Sequence, residues 1–346
     1  MQRCKKNKYL KLKTKKKYRG GSNAIHNTSS VTRNLSVKRV RNAVNNAVNN
    51  AVNHESEKTY LLSDMPQLCF GTAQDNLIKT LPKAIEIGYR HIDGAEAYGG
   101  DKYKKIIKDA ITKIPRNQLW ITWKDNAITV AKIQKIIENL NCEYIDLFLV
   151  HHTCGKSADF IAFEEAKSKG LIRYFGVSNC EDIKTIKKLK QKHNIYANQI
   201  QARPPEGTIN QREPLSSDFI SKLSQNGVKI MLFATISAIA NIGSKIFMEE
   251  IGVNEGPPVS EKNKQNYKKI EGNIQNINKY YIQKYIKNDD TNKNNVLIVS
   301  STSNTGESLK TNFDDVNKIL NREELLNDDK MHEIETQIQN LDLSHQ

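Results

Sequence analysis

Four side chains stand out by type and by place. Asp93, Tyr98, Lys124 and His151 are a carboxylate, a phenol, an ammonium and an imidazole, the groups proteins use to move and stabilise protons. Asp93, Lys124 and His151 each close a short apolar run, and Tyr98 follows Asp93 by five residues. Taken singly, each has an ordinary structural reading: a buried Asp–Lys pair, a wedge tyrosine, a satisfied core histidine. Together, at the ends of successive apolar runs, they are more than packing alone would place there. Other runs end in small, polar or aromatic residues: Gly71-Thr72, Ser178-Asn179, Gln199, Phe233 and Ser300-Ser301.

The elements that must carry these residues follow from periodicity. Short apolar runs predict strands at Leu68–Thr72, Arg90–Asp93, Leu119–Lys124, Ile145–His151, Ile172–Asn179, Asn198–Ala202, Lys229–Thr235 and Val296–Ser300. Between and after them, amphipathic stretches predict helices at Leu77–Ile87, Lys102–Lys113, Val130–Leu140, Ala158–Lys169, Glu181–His193, Ser216–Gln225, Ile270–Ile286, Glu307–Leu320 and Met331–Leu341. Strands alternating with helices imply a parallel sheet, and eight such units imply a closed (β/α)8 barrel, a TIM barrel. Chemistry in such a barrel sits at the carboxyl ends of the strands, where the candidates lie. The polar stretch Ala238–Lys269, with Pro257-Pro258, reads as a long loop or insertion.

Charge divides the chain. Its 346 residues carry 53 Lys or Arg and 38 Asp or Glu, a formal charge of +15. Fourteen of the basic residues lie in positions 1–41, and the first acid is Glu55. The remainder has 53 − 14 = 39 basic residues against 38 acidic, so the body is nearly neutral and offers no broad nucleic-acid-binding face. Residues 1–58, with Asn-Ala-Val-Asn repeated over Asn42–Asn53, have little to bury and are expected to be a disordered tail ahead of a barrel spanning 59–346. Residues 1–41 could tether nucleic acid or an acidic partner, or serve as a nuclear or organelle signal. No run of eighteen apolar residues predicts a membrane span and no apolar N-terminal segment predicts secretion. The five cysteines, Cys4, Cys69, Cys142, Cys154 and Cys180, are odd in number and form no C-x-x-C pair. They are expected to be reduced thiols in a cytosol-like compartment, without a metal site. The barrel is expected to act as a monomer.

The strings around the candidates resemble the aldo-keto reductase family. His91-Ile92-Asp93-Gly94-Ala95-Glu96-Ala97-Tyr98-Gly99, after Gly88-Tyr89-Arg90, is similar to its Asp and Tyr signature. Ile121-Thr122-Trp123-Lys124 resembles its Lys strand, Tyr144 to His151 its His strand, Gly170 to Asn179 its fifth strand, and Asn198-Gln199-Ile200 its sixth. The resemblance implies the same barrel and a carbonyl reductase using NADP or NAD on a small carbonyl substrate. Tyr98 would be the proton donor, with Lys124 lowering its pKa, Asp93 holding Lys124, and His151 orienting the carbonyl oxygen. Gly71, Thr72, Ser178, Asn179, Gln199, Phe233, Ser300, Ser301 and Asn312 would line the cofactor, Phe233 standing where a stacking tyrosine is usual. Ser300 and Ser308 stand where the family has a Lys and an Arg, so two cations for a 2′-phosphate are missing. The short loop His152–Asp159 implies an open substrate pocket. The competing reading is a nucleotide-binding barrel without turnover, acting as a regulatory subunit or as a packaging protein with a nucleic-acid-binding tail.

Overall fold

Eight apolar runs become eight parallel strands that close on themselves. The computed structural model describes residues 64–152, 154, 160–202, 217–235, 237–252, 258–285, 295–299, 307–321 and 323–341. All belong to the second of two units into which the chain divides, Tyr60–Gln346. The basic segment 1–58, Ser300 and Ser301 lie outside the described residues.

The strands are β1 (Leu68–Gly71), β2 (His91–Ala95), β3 (Trp120–Asp125), β4 (Ile145–Val150), β5 (Ile172–Ser178), β6 (Ala197–Gln201), β7 (Lys229–Phe233) and β8 (Val296–Val299). Each pairs in parallel with the next, and β1 also pairs with β8 through Phe70↔Val299, which closes the ring. Alternation of side chains along a strand sorts them into two cores. Cys69, Trp120, Leu147, Leu149, Ala197, Met231, Val296 and Ile298 fill the barrel interior with Met65. Phe70, Ile92, Ile121, Trp123, Phe148, Ile200, Ile230 and Leu297 point outward and join the helices in the larger core. The inward parity then decides the site. Counting in twos from Trp120 reaches Lys124, from Leu149 reaches His151, from Ala197 reaches Gln199, and from Met231 reaches Phe233.

The helices of the surrounding ring are α1 (Leu77–Ile87), α2 (Asp101–Ile111), α3 (Val130–Leu140), α4 (Phe160–Ser168), α5 (Ile183–His193), α6 (Ser217–Gln225), α7 (Ser237–Glu250), α8 (Glu261–Glu271), α9 (Ile274–Tyr285), α10 (Glu307–Leu320) and α11 (Asp328–Gln339). Several start on side-chain caps. Thr129 accepts from the backbone of Lys132, Asp182 from Lys184 and Asn327 from Lys330, satisfying amides the helix itself cannot.

Two sequence expectations are corrected here. The stretch 238–269 is no loop: α7 and α8 occupy most of it, with Pro258 in the break between them. Its apolar face is thin but periodic, Ile239, Ile242 and Ile246 being buried at a spacing that fits one helix face. Ser260 caps α8 by accepting from Asn263, and Lys264 of α8 pairs with Glu249 of α7 at 3.1 Å. The second correction concerns thiols. Cys154 and Cys180 are joined in a disulfide, whereas Cys69 and Cys142 are free and buried. Their separation of 26 residues fits no local motif, because the barrel brings them together. β4 and β5 are neighbours in the register Val150↔Val177, so the loops leaving them run side by side. Among the described residues no helix is long and apolar enough to cross a membrane.

Candidate active site

The carboxyl ends of β2, β3 and β4 bring the four titratable candidates together. Lys124 is fully buried and its ammonium donates to Asp93 Oδ2, itself only 4% exposed. Gln199 Nε2, from β6 across the barrel, donates to Asp93 Oδ1 at 2.8 Å. Both carboxylate oxygens are therefore engaged, one by a cation and one by a neutral amide. The short turn Glu96–Tyr98 follows β2 and swings Tyr98 back over the barrel mouth. Lys124 Nζ lies 5.0 Å from the centre of the Tyr98 ring, near enough for its charge to act on the phenol. The ring of His151 meets that of Tyr98 edge to face, with centres 5.6 Å apart.

Charge and burial set the protonation of the group. Burial pushes the Tyr98 phenol above its ordinary value, and Asp93 adds to this; Lys124 opposes both without prevailing. The expected lowering of Tyr98 is thus corrected: desolvation outweighs the cation, and the phenol keeps its proton through the neutral range. Burial draws the Lys124 ammonium down, but Asp93 and Tyr98 together lift it above the usual lysine range. Burial, with Lys124 and His152 nearby, pulls His151 down to about 4, so its imidazole is neutral near pH 7.

His151 is held by neighbours that strand periodicity did not single out. Its backbone N–H donates to Asp125 O at 3.1 Å. The next N–H, of His152, donates to Asn126 Oδ1 at 2.8 Å. His152, whose ring is exposed, stacks on His151 with centres 4.1 Å apart. Asn179 Nδ2 donates to His151 O at 3.1 Å and to Ser178 Oγ at 3.2 Å. Asn179 adopts a left-handed φ of 56°, a conformation Asn tolerates better than most residues. The only sequence signal for Asn126 is its type, a side chain fit to cap a turn just past a strand end.

The other sequence candidates divide. Ser178, 1% exposed, donates to Gln199 O at 3.1 Å. Phe233 ends β7, partly buried against the interior core. Gly71 is paired with Asp93 in the register of β1 and β2. Thr72, 1% exposed, has its hydroxyl committed inside the protein, donating to Asp93 O at 2.7 Å and meeting Tyr103 Oη at 2.5 Å. Asn312 of α10 accepts from Asn278 of α9 at 2.8 Å, which ties it to the neighbouring helix.

Known proteins resemble this chain in sequence and fold. The model of the aldo/keto reductase family matches residues 67–279, more than half of the chain. The chain belongs to the aldo/keto reductase family. An NADPH-dependent codeinone reductase of Papaver somniferum is 28% identical over 235 residues, covering 57% of this chain and 72% of that protein. A methylglyoxal reductase of Yersinia pestis is 34% identical over 127 residues, covering 33% and 45%. An oxidoreductase of Bacillus subtilis is 29% identical over 150 residues, covering 38% and 48%. The chain thus spans about half the length of the latter two relatives. Among solved structures, an aldose reductase from Giardia lamblia covers 82% of this chain and 95% of its own at 21% identity, with a TM-score of 0.56. A Bombyx mori aldo-keto reductase in complex with NADP covers 81% and 91% at 20% identity, with a TM-score of 0.55. These structural likenesses concern the fold. Within this aldo/keto reductase, Asp93, Tyr98, Lys124 and His151 form one connected group at the barrel mouth.

Proposed function

We propose that this chain reduces an aldehyde or ketone to the alcohol with hydride from NADPH or NADH, Tyr98 supplying the proton. The observation that carries the reading is the buried Asp93–Lys124 pair set against the half-buried Tyr98, beside a neutral His151. A bound reduced nicotinamide would supply hydride to the carbonyl carbon, which no side chain can do.

The remaining work falls to this chain's own residues. A neutral His151 donates an N–H to the carbonyl oxygen and orients it. As negative charge gathers on that oxygen, Tyr98 gives up its phenolic proton to it. The phenolate left behind sits against Lys124, whose attraction is strong in a buried setting. Asp93, itself held by Gln199, keeps Lys124 in place and charged. Solvent then returns a proton to Tyr98. One hydride and one proton are added, and the product is an alcohol.

The residues present fit a nicotinamide. Asn179 offers its amide at the end of β5, and Phe233 offers a flat apolar face at the end of β7; these would hold the carboxamide and the ring. Ser178, Thr72 and Asn312, committed inside the protein, serve as support. With Ser300 and Ser308 in place of two cations, preference for the 2′-phosphorylated cofactor is weak.

Titrating the full chain with NADPH and NADH by fluorescence, then adding a panel of aldehydes, tests the reading. Both nucleotides should bind and at least one aldehyde should be reduced. Tight nucleotide binding with no turnover across the panel would favour the non-catalytic barrel instead.

A further inference from the structure

Tyr103 sits five residues after Tyr98, as the third residue of α2. It is buried, and no step of the proposed chemistry uses it. Its ring stands edge to face against Tyr98, centres 6.3 Å apart and planes at 83°, and leans on Trp123 at 6.1 Å.

Its hydroxyl closes a chain whose direction can be assigned. Thr72 Oγ1 lies 2.7 Å from Asp93 O, a carbonyl that can only accept, so the Thr72 proton goes there. The Thr72 oxygen is left to accept, and Tyr103, at 2.5 Å, must be the donor. The Tyr103 oxygen in turn accepts from the backbone N–H of Ala95 at 3.4 Å. The path therefore runs Ala95 N–H to Tyr103 to Thr72 to the Asp93 carbonyl, joining both ends of the Asp93–Ala95 segment to the residue that follows β1. Burial pushes the Tyr103 phenol far up, so it remains an O–H donor throughout the working range.

The sequence leaves room for this residue on both sides of the turn. A Cβ on Gly99 would stand 2.7 Å from Tyr103 Cβ. One on Gly94 would stand 2.6 Å from Trp123 and 3.1 Å from Tyr103 Oη. The segment Gly94–Gly99, with Tyr98 near its end, can wrap Tyr103 only because both positions lack a side chain. The adjacent Lys104 clamps the same turn by its ion pair with Glu96 at 2.5 Å.

We propose that Tyr103 is a positioning residue for Tyr98, fixing the proton donor through its ring and through the hydroxyl chain to Thr72 and Asp93. The inference rests on Tyr98 being that donor. A displacement of about 1 Å at a reacting group can cost on the order of a hundredfold in rate, which gives a buried support of this kind kinetic consequences.

The test places Tyr103→Leu and Tyr103→Phe in the parent chain and in Tyr98→Phe. Turnover of a good aldehyde, nucleotide affinity and thermal midpoint are measured for each. In the parent background Tyr103→Leu should lower kcat by about tenfold to a hundredfold, with KM and nucleotide affinity changing less than about twofold. Tyr103→Phe keeps the ring contact and should lose only about threefold, from the broken hydroxyl chain. In the Tyr98→Phe background neither change should lower the residual rate further, because the group they act through is gone. Equal losses in both backgrounds would overturn the proposal, as would full kcat in a folded Tyr103→Leu. Should Tyr103→Leu fail to fold, the smaller loss in Tyr103→Phe and its disappearance without the Tyr98 hydroxyl decide the matter. A parent chain that reduces no aldehyde overturns the functional reading and this proposal together, whereas an active parent with additive losses overturns this proposal alone.

Discussion

Replacing Lys124 by Met removes a cation from a place that water does not reach. The methionine keeps much of the apolar stem, so the change is mainly one of charge. Asp93, 4% exposed, would retain only the neutral Gln199 amide on Oδ1 and nothing cationic on Oδ2. Breaking a buried ion pair from one side costs about 3–5 kcal/mol, because the other charge is left unpaired. For a barrel of this size each kcal/mol is worth roughly 2–4 °C, so the thermal midpoint should fall by roughly 6–20 °C. The double variant Lys124→Met, Asp93→Asn removes the stranded charge as well, and Asn can still accept from Gln199. Replacing both members of a buried pair is often nearly neutral, so the double variant should recover to within about 1.5 kcal/mol of the parent. Its turnover should not recover, since the Tyr98 phenolate formed in the reaction would have no cation beside it. Urea unfolding read by circular dichroism gives the first quantity and aldehyde turnover the second. A Lys124→Met loss below about 1 kcal/mol would contradict the coupling of the pair. A double variant with parental turnover would remove Lys124 from the chemistry.

Two further outcomes are expected. Burial holds the His91 imidazole at about 4, against an ordinary value of 6.5, with hydrogen bonds of 3.0 Å to Pro66 O and 2.8 Å to Thr122 Oγ1. The unfolded chain takes up the proton first, so the contribution of neutral His91 is complete above pH 6.5 and is lost as pH falls towards 4; at pH 5 the loss is about 2 kcal/mol. Unfolding measured from pH 7 to pH 5 should lose this component in His91→Gln, and an unchanged slope in that variant would refute the assignment. The Cys154–Cys180 bridge links the loops after β4 and β5, and Cys180 is also held by two hydrogen bonds to Asn198, at 3.4 and 2.7 Å. A dithiol reductant should therefore release two thiols while the barrel stays folded, as read by alkylation and mass; an unchanged thiol count would contradict the bridge.

What the sequence disclosed follows from how parallel barrels are built. Strands buried on both faces read as apolar runs, and all eight were legible in that way. Asp93, Lys124 and His151 were legible because a charged or polar group closing such a run lands at the barrel mouth. The helices Ser237–Glu250 and Glu261–Glu271 were not, since a thin stripe of Ile239, Ile242 and Ile246 is diluted by exposed Phe247, Met248 and a Lys-rich second helix. The Cys154–Cys180 bridge escaped because its cause is strand adjacency rather than spacing. Gln199 resembled a cofactor ligand by position, yet its amide turns to Asp93, a preference set by the buried charge and invisible without the barrel's closure. The direction of the Tyr98 shift is hidden in the sequence for a similar reason. The neighbouring cation could be named from sequence, but the degree of burial that outweighs it could not. Tyr103 reads as one more apolar position of an amphipathic helix, and only its hydroxyl partners distinguish it.

The most direct measurement is the rate of aldehyde reduction by Tyr98→Phe under saturating reduced nucleotide, alongside its affinity for that nucleotide. The ring, its contact with His151 and its packing on Tyr103 are retained, and only the hydroxyl that carries the proton is removed. The rate should fall by roughly 10²–10⁴-fold, the usual worth of a positioned acid, while nucleotide affinity stays within about twofold. A Tyr98→Phe chain that reduces the aldehyde at the parental rate would contradict the account.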